Sequence, residues 1–206
     1  MKNLSNKNII HVKKDNVEYI QFRILLKYKQ EIKHCITLKS LNFGNVNDYE
    51  TVQEEVINNY KLVCKNLNLD YNNIVRPKQT HTDVIKRINK KENINIPDIF
   101  LEYLEDVDGV ITKEKDIILS TVYADCIPLL FFDPIKKVIA NIHSGWQGTL
   151  KRIGQKAVKR LIEEYDCNPK DLICCIGPSI RKCHFEVDKD VKDMFDGKFN
   201  NVGAPR

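Results

Sequence analysis

Apolar positions along the chain repeat with two periods, and the change of period marks out its elements. Residues 17–28 and 32–38 are dense in Ile, Val, Phe and Tyr and are separated by a polar turn, which predicts paired strands. Asn47 and Asp48 can cap a helix. Val52, Val56, Tyr60, Val63 and Leu67 then step by three and four, so that helix is predicted to run to about Leu69. Short β-type runs follow at 73–76, 83–88, 109–112, 117–123, 129–132 and 137–142. Asp133-Pro134 between the last two predicts an antiparallel hairpin. Leu150, Ile153, Ala157, Leu161 and Tyr165 mark one face of a helix over 147–165. A strand at 172–176 is halted by Gly177-Pro178, and Asp188 can cap a last short helix. Many strands and few helices, not strictly alternating, predict an α/β protein of the α+β type with a mixed β-sheet.

Size and composition fit this picture. A chain of 206 residues is close to the ~100–200 residues of one domain, and roughly 70% of the unfolded surface can be buried at this size. Hydrophobic residues make up 42% and charged residues 30%, which excludes a disordered chain. The apolar runs are too short for a membrane span, and the first ten residues lack the apolar core of a secretory signal, so a cytoplasmic location is expected. The net charge of +5 is interspersed rather than blocked. That argues against a nucleic-acid partner and leaves a mild positive field for an anionic small substrate. The odd count of 7 cysteines predicts reduced thiols, and no C-x-x-C pair suggests a zinc ribbon.

Three segments place metal-ligand residue types where a strand gives way to a loop: Gln79-Thr80-His81-Thr82, Ala124-Asp125-Cys126-Ile127-Pro128, and His143-Ser144-Gly145-Trp146-Gln147-Gly148. His81, Cys126 and His143 would make a three-ligand set with an open fourth position, the arrangement of catalytic zinc. Each also has a plainer reading, since a histidine near a strand end commonly just hydrogen-bonds and a free cysteine commonly packs as a small hydrophobe. The glycines of the third segment permit a tight turn, and the helix start beyond them is a candidate anion site.

The order of these motifs is distinctive. Gln79-x-His81, Ala124-Asp125-Cys126-x-Pro128, His143-x-Gly145-Trp146-x-Gly148 and Ile176-Gly177-Pro178-Ser179-Ile180 together resemble the laccase-domain, or polyphenol-oxidase, family, described as purine nucleoside phosphorylases with adenosine deaminase activity. Ser40-Leu41-Asn42-Phe43-Gly44, Asp108-Gly109-Val110-Ile111-Thr112 and Phe185-Glu186-Val187 extend the match over roughly residues 17–195. The resemblance implies a compact single-domain layered sandwich with helices packed outside. It implies one zinc held by His81, Cys126 and His143. It also implies phosphorolysis of adenosine, inosine and 5′-methylthioadenosine to base and ribose 1-phosphate, with deamination of adenosine, by a monomer or homodimer. Copper binding and phenol oxidation are attributed to the same family.

Residue chemistry refines those expectations. Asp125 beside Cys126 opposes a free thiolate, whereas a metal deprotonates its thiol ligand outright. Zinc lowers the pKa of water to roughly 7, which suits attack on purine C6, and Asp125 and Glu186 are candidate proton carriers. For phosphorolysis, Lys39, Arg76 and the Gly148-Thr149 helix start are candidates for phosphate, Asn42 and Gln79 for ribose or base, and Trp146 for stacking on the purine. Gln147 stands where the family commonly has arginine, and Lys39 likewise, so both lack the bidentate fork. Cys167, Cys174, Cys175 and Cys183 are expected to be buried, inert thiols, with Cys174 and Cys175 on opposite faces of one strand. Family members usually continue past the Glu186 region, so a C-terminally shortened domain is expected here. The competing readings are a copper-dependent phenol oxidase, a Cys126–histidine thiol hydrolase, and an inactive metal-binding remnant.

Overall fold

A computed structural model describes residues 3–44, 54–89 and 100–199. The chain opens with β1 (Ile9–Lys14) and β2 (Val17–Phe22), an antiparallel pair in which Lys14 faces Val17. Asp15 and Asn16 both take positive φ, 49° and 62°, as the tight turn of a two-residue hairpin requires. Sequence reading missed β1. It also carried the next strand to residue 28, whereas β2 ends at Phe22 and the chain enters the short helix α1 (Arg23–Leu26). β3 (Ile36–Thr37) is a two-residue pairing to β2, shorter than the run expected over 32–38.

Helix α2 (Glu54–Leu67) buries Val56, Tyr60, Val63 and Cys64, as the apolar spacing predicts; the proposed caps Asn47 and Asp48, and Val52, lie outside the described residues. Beyond it come β4 (Ile74–Lys78), β5 (Ile85–Arg87), β6 (Phe100–Glu105), β7 (Gly109–Thr112), β8 (Ile118–Leu119), β9 (Ile127–Asp133) and β10 (Val138–Ser144). β6 was not anticipated. β9 and β10 form the predicted hairpin, with Asp133 paired to Val138.

The helix expected over 147–165 is two helices, α3 (Trp146–Leu150) and α4 (Ile153–Tyr165). Arg152 between them is left-handed, with φ 61°, and breaks the run although no glycine or proline announces it. Contacts beyond α3 and α4 themselves lie on either side of the break. Gly148 presses α3 against the Thr82 carbonyl, where an added Cβ would lie 3.0 Å away, and the Arg152 guanidinium covers the Phe199 ring and donates to the Lys198 carbonyl. β11 (Ile173–Ile176) and α5 (Lys189–Phe199) complete the described chain.

The central sheet runs β11-β9-β10-β7-β5, antiparallel except for the parallel β5–β7 pair. Two smaller sheets flank it, β1-β2-β3 and the parallel β6-β4-β8. The layering is visible at two adjacent residues of β9. Phe131 packs with Ile153, Ala157 and Leu161 of α4, whereas Phe132 packs with Phe22 of the first sheet and Leu25 of α1. Alternation along a strand sends neighbours to opposite faces, so the central sheet is covered on both. Each fully buried Leu or Ile there contributes about 1.5–3 kcal/mol. The fold is thus a mixed α/β sandwich, as expected. Among the described residues no helix is long and apolar enough to cross a membrane.

His34 closes the open end of β2. Its Nε2 accepts the Phe22 amide at 2.7 Å, and the two rings stack. Burial pushes the imidazole down from 6.5 to about 4. Above pH 6.5 folded and unfolded chains both hold it neutral; below, the unfolded chain takes up a proton that the folded chain refuses, so stability is lost as pH falls from 6.5 towards 4. Urea unfolding across that window should therefore show the stability advantage of the wild type over His34→Gln shrinking with acidification. A difference independent of pH would reject this account.

Candidate metal centre

Strand pairing assembles the three candidate ligands. His143 lies near the end of β10 opposite Pro128, and Ser144 lies opposite Ile127, so Cys126, one residue before β9, arrives beside His143. β7 pairs with the other side of β10, with Gly109 opposite Ile142, and this sets Asp108 next to His143; the His143 amide donates to the Asp108 carbonyl at 2.7 Å. The parallel β5–β7 pair starts with Ile85 opposite Gly109, and the Asp108 amide donates to the Val84 carbonyl, which draws in the loop that carries His81.

One donor atom from each of His81, Cys126 and His143 falls within 4.8 Å of the others, and Cys126 Sγ is 3.8 Å from His81 Nε2. The imidazoles of His81 and His143 meet edge to face at 5.1 Å. His143 is buried, Cys126 half-buried and His81 exposed, so the cluster is walled on one side and reachable on the other. Two imidazoles and a thiolate are a borderline-soft donor set that suits zinc or copper, and three ligands leave a position open. The residues present therefore fit a metal ion. Gly145 makes the space, since a Cβ there would lie 2.6 Å from His81 Cδ2 and 3.4 Å from Cys126 Sγ.

Beneath the ligands lies Asp108, which has no exposed surface. Its Oδ1 accepts from His143 Nδ1 at 2.6 Å and from the His81 amide at 3.1 Å. Its Oδ2 accepts from the Thr80 amide at 3.3 Å, the Thr82 amide at 2.7 Å and Thr82 Oγ1 at 2.8 Å. Three successive amides converging on one carboxylate form a backbone nest. It holds His81 at a left-handed φ of 65°, a conformation costing about 1–2 kcal/mol for a residue with a side chain. Burial alone would raise the Asp108 carboxyl, but the hydrogen bonds from His143 and Thr82 outweigh it and keep the group below its ordinary range. Burial likewise opposes a charge on His143; Asp108 and Cys126 overcome it and hold the imidazole up at about 9.

In the sequence Asp108 stands out only as part of a motif, with no role. The one signal there is an acidic residue directly before the strand Gly109–Thr112, which does not by itself predict a buried carboxylate. Tyr123 was also missed. Its ring lies 5.6 Å from that of His143, and its hydroxyl donates to Asn141 Oδ1 at 2.7 Å.

The remaining sequence candidates fall into two groups. Trp146 and Gln147 follow Gly145 at the start of α3, both half-buried, and Asp125 precedes Cys126 and is exposed. Gln79 sits at the base of the His81 loop, but both ends of its carboxamide are occupied by the Val122 backbone, at 2.8 and 2.7 Å, which ties that loop to the approach to Cys126. Lys39 and Asn42 are exposed, and Asn42 Oδ1 accepts the Gly44 amide at 2.8 Å. Arg76 is buried in β4 and donates to the carbonyls of Phe43 and Gly44, each at 3.1 Å. The Thr149 amide is bonded to the Gly145 carbonyl inside the five-residue α3, so the long helix start expected to bind an anion is not formed. Glu186 is exposed. Cys175 is buried and Cys174 exposed on β11, on opposite faces as expected, and burial together with Asp133 pushes the Cys167 thiol up to about 12. Cys174 and Cys183 correct the expectation of buried thiols, because both are exposed.

A methyl group at Gly145 would be driven into the space between His81 and Cys126. Gly145→Ala should weaken zinc binding by about tenfold, the lower part of the ~1–3 kcal/mol that overpacking costs. Competition against a chromophoric chelator measures it, and unchanged affinity would show that the pocket yields.

The family model described as multi-copper polyphenol oxidoreductase laccase matches residues 33–205. Purine nucleoside phosphorylase YlmD of Bacillus subtilis is 34% identical over 156 residues, 75% of this chain and 55% of its own length. A purine nucleoside phosphorylase of Borreliella burgdorferi is 30% identical over 182 residues, 88% of this chain and 68% of its own. The crystal structure of the hypothetical protein YfiH from Bacillus licheniformis superimposes with a TM-score of 0.70 at 27% identity, covering 98% of this chain and 72% of that one. The chain spans about half the length of YlmD. With a family match across most of its residues and the fold shared with YfiH, the chain belongs to the polyphenol oxidoreductase laccase family.

Proposed function

We propose that this chain carries the site of a zinc-dependent purine nucleoside phosphorylase that cleaves adenosine, inosine and 5′-methylthioadenosine with phosphate and also deaminates adenosine. The observation that carries the reading is the His81, Cys126 and His143 cluster, with its donors within 4.8 Å of one another and one side reachable from solvent. Relatives named purine nucleoside phosphorylase supply the reaction class.

In phosphorolysis a phosphate oxygen bonds to C1′ as the C1′–N9 bond breaks, and the purine leaves with that electron pair and gains a proton. In deamination water adds at C6 and ammonia departs. Zinc, when bound, supplies a Lewis acid for the charge that develops. The chain's own residues take the other tasks. Trp146, half-buried next to Gly145, offers an aromatic face to the purine. Asp125, next to Cys126, and Glu186 are exposed carboxylates, and we assign them to proton transfer. We assign phosphate to Lys39, which is exposed, rather than to Arg76, which already holds the Phe43 and Gly44 carbonyls. Gln147 can donate one hydrogen bond and accept another, which suits a ribose or base edge better than a phosphate fork.

Copper is the other metal that the donor set and the family description suggest. Reducing dioxygen to water takes four electrons, and among the described residues these three donors form one metal-type cluster. Non-redox chemistry at a single ion is therefore the favoured reading.

Incubating adenosine with the purified chain, with and without phosphate, and separating the products by chromatography tests this. Adenine that forms only with phosphate, and inosine that forms without it, are both expected, and both should vanish in Cys126→Ala and after chelation. Full activity in that mutant would overturn the assignment. Activity that survives chelation but not the mutation would point instead to a thiol enzyme.

A further inference from the structure

We infer that Asp108 is the positioning residue for both histidine ligands, setting which nitrogen of His143 faces the metal and where His81 stands, while Cys126 takes no hydrogen bond from it and is held chiefly by other contacts. The inference rests on the metal-site reading above.

The hydrogen-bond pattern carries it. Asp108 Oδ1 accepts from His143 Nδ1 at 2.6 Å, so that nitrogen is turned away and Nε2 is left for a metal. A metal-bound imidazole is oriented in just this way by the partner of its other nitrogen. The same carboxylate takes the amides of Thr80, His81 and Thr82, the three residues that define the turn on which His81 is mounted. One residue from a loop and one from a strand far away in sequence thus share one anchor. Cys126 has other supports. The neighbouring Asp125 carbonyl accepts the Ile180 amide at 3.0 Å, and the Pro128 carbonyl accepts the Gly177 amide at 2.8 Å. The Gly177-Pro178-Ser179-Ile180 stretch therefore holds the backbone on both sides of the thiol with bonds that do not involve the Asp108 carboxylate.

Asparagine at this position keeps the shape but cannot keep the pattern, because one of its two ends is a donor. Placed at the Oδ2 position, the NH2 group meets the donating amides of Thr80 and Thr82. Placed at the Oδ1 position, it forces His143 Nδ1 to accept, which moves the proton to Nε2 and takes that nitrogen from the metal. Either way a histidine ligand is compromised.

The test combines two measurements. Zinc affinity of Asp108→Asn, by chelator competition, is expected to fall about 10–100-fold, and Asp108→Glu should not restore it. At saturating cobalt the thiolate-to-metal absorption of Cys126 should persist in Asp108→Asn while the d–d bands change, a split that general loosening of the fold would not produce. Nitrogen-15 NMR of the zinc-loaded wild type, which does not depend on any variant folding, should show His143 with a proton on Nδ1 and the metal on Nε2. Wild-type affinity in Asp108→Asn, or coordination through Nδ1 of His143, would overturn the inference and leave the metal site standing. A wild-type chain that binds no zinc would overturn the metal reading, and this inference with it.

Discussion

Burying the carboxylate of Asp108 without any exposed surface would cost several kcal/mol if it stood alone. The fold offsets this by bringing to it an imidazole, a hydroxyl and three backbone amides, drawn from two segments that the central sheet holds on either side. The requirement works in both directions. The carboxylate needs those donors to be tolerated, and the loop of residues 80–82 needs the carboxylate to hold a left-handed histidine. The geometry around the candidate metal follows from that mutual dependence.

Sheet register supplies the rest of the precision. In the β9–β10 hairpin a slip of one residue would turn His143 to the other face and carry Cys126 away from it. Register is guarded by burial on both sides, with Phe131 committed to α4 and Phe132 to the first sheet. The core that stabilises the sandwich therefore also fixes the ligand spacing, and the open edge of the site is left to His81, which is the exposed ligand. Gly145 completes the arrangement by having no side chain where the two ligands from other segments converge.

Several polar residues that look available for substrate in a one-dimensional reading turn out to hold the chain. Gln79 clasps the Val122 backbone, and Arg76 is buried against the Phe43 and Gly44 carbonyls. Gln79 still bears on the site, through the His81 loop that it steadies. A guanidinium or carboxamide withdrawn from water must find partners within the protein, and here those partners are backbone groups of loops. Trp146 and Gln147 are half-buried next to Gly145, and Asp125 is exposed next to Cys126.

Taken alone, the sequence determined the α/β class, the β9–β10 hairpin, the apolar faces of α2 and α4, and the three residues of the candidate metal cluster. Each of those depends on periodicity, turn chemistry or ordered motifs that are local in the chain. Only the tertiary structure decided that Asp108 lies under both histidines, that Arg76 and Gln79 point into the protein's own backbone, and that residues 147–165 form two helices broken at Arg152. It also decided that β1 pairs with β2, and that β3 shrinks to two residues. Those outcomes are set by which segments meet across the sheet and by the burial that follows, and such contacts between distant residues leave no period in the sequence to read.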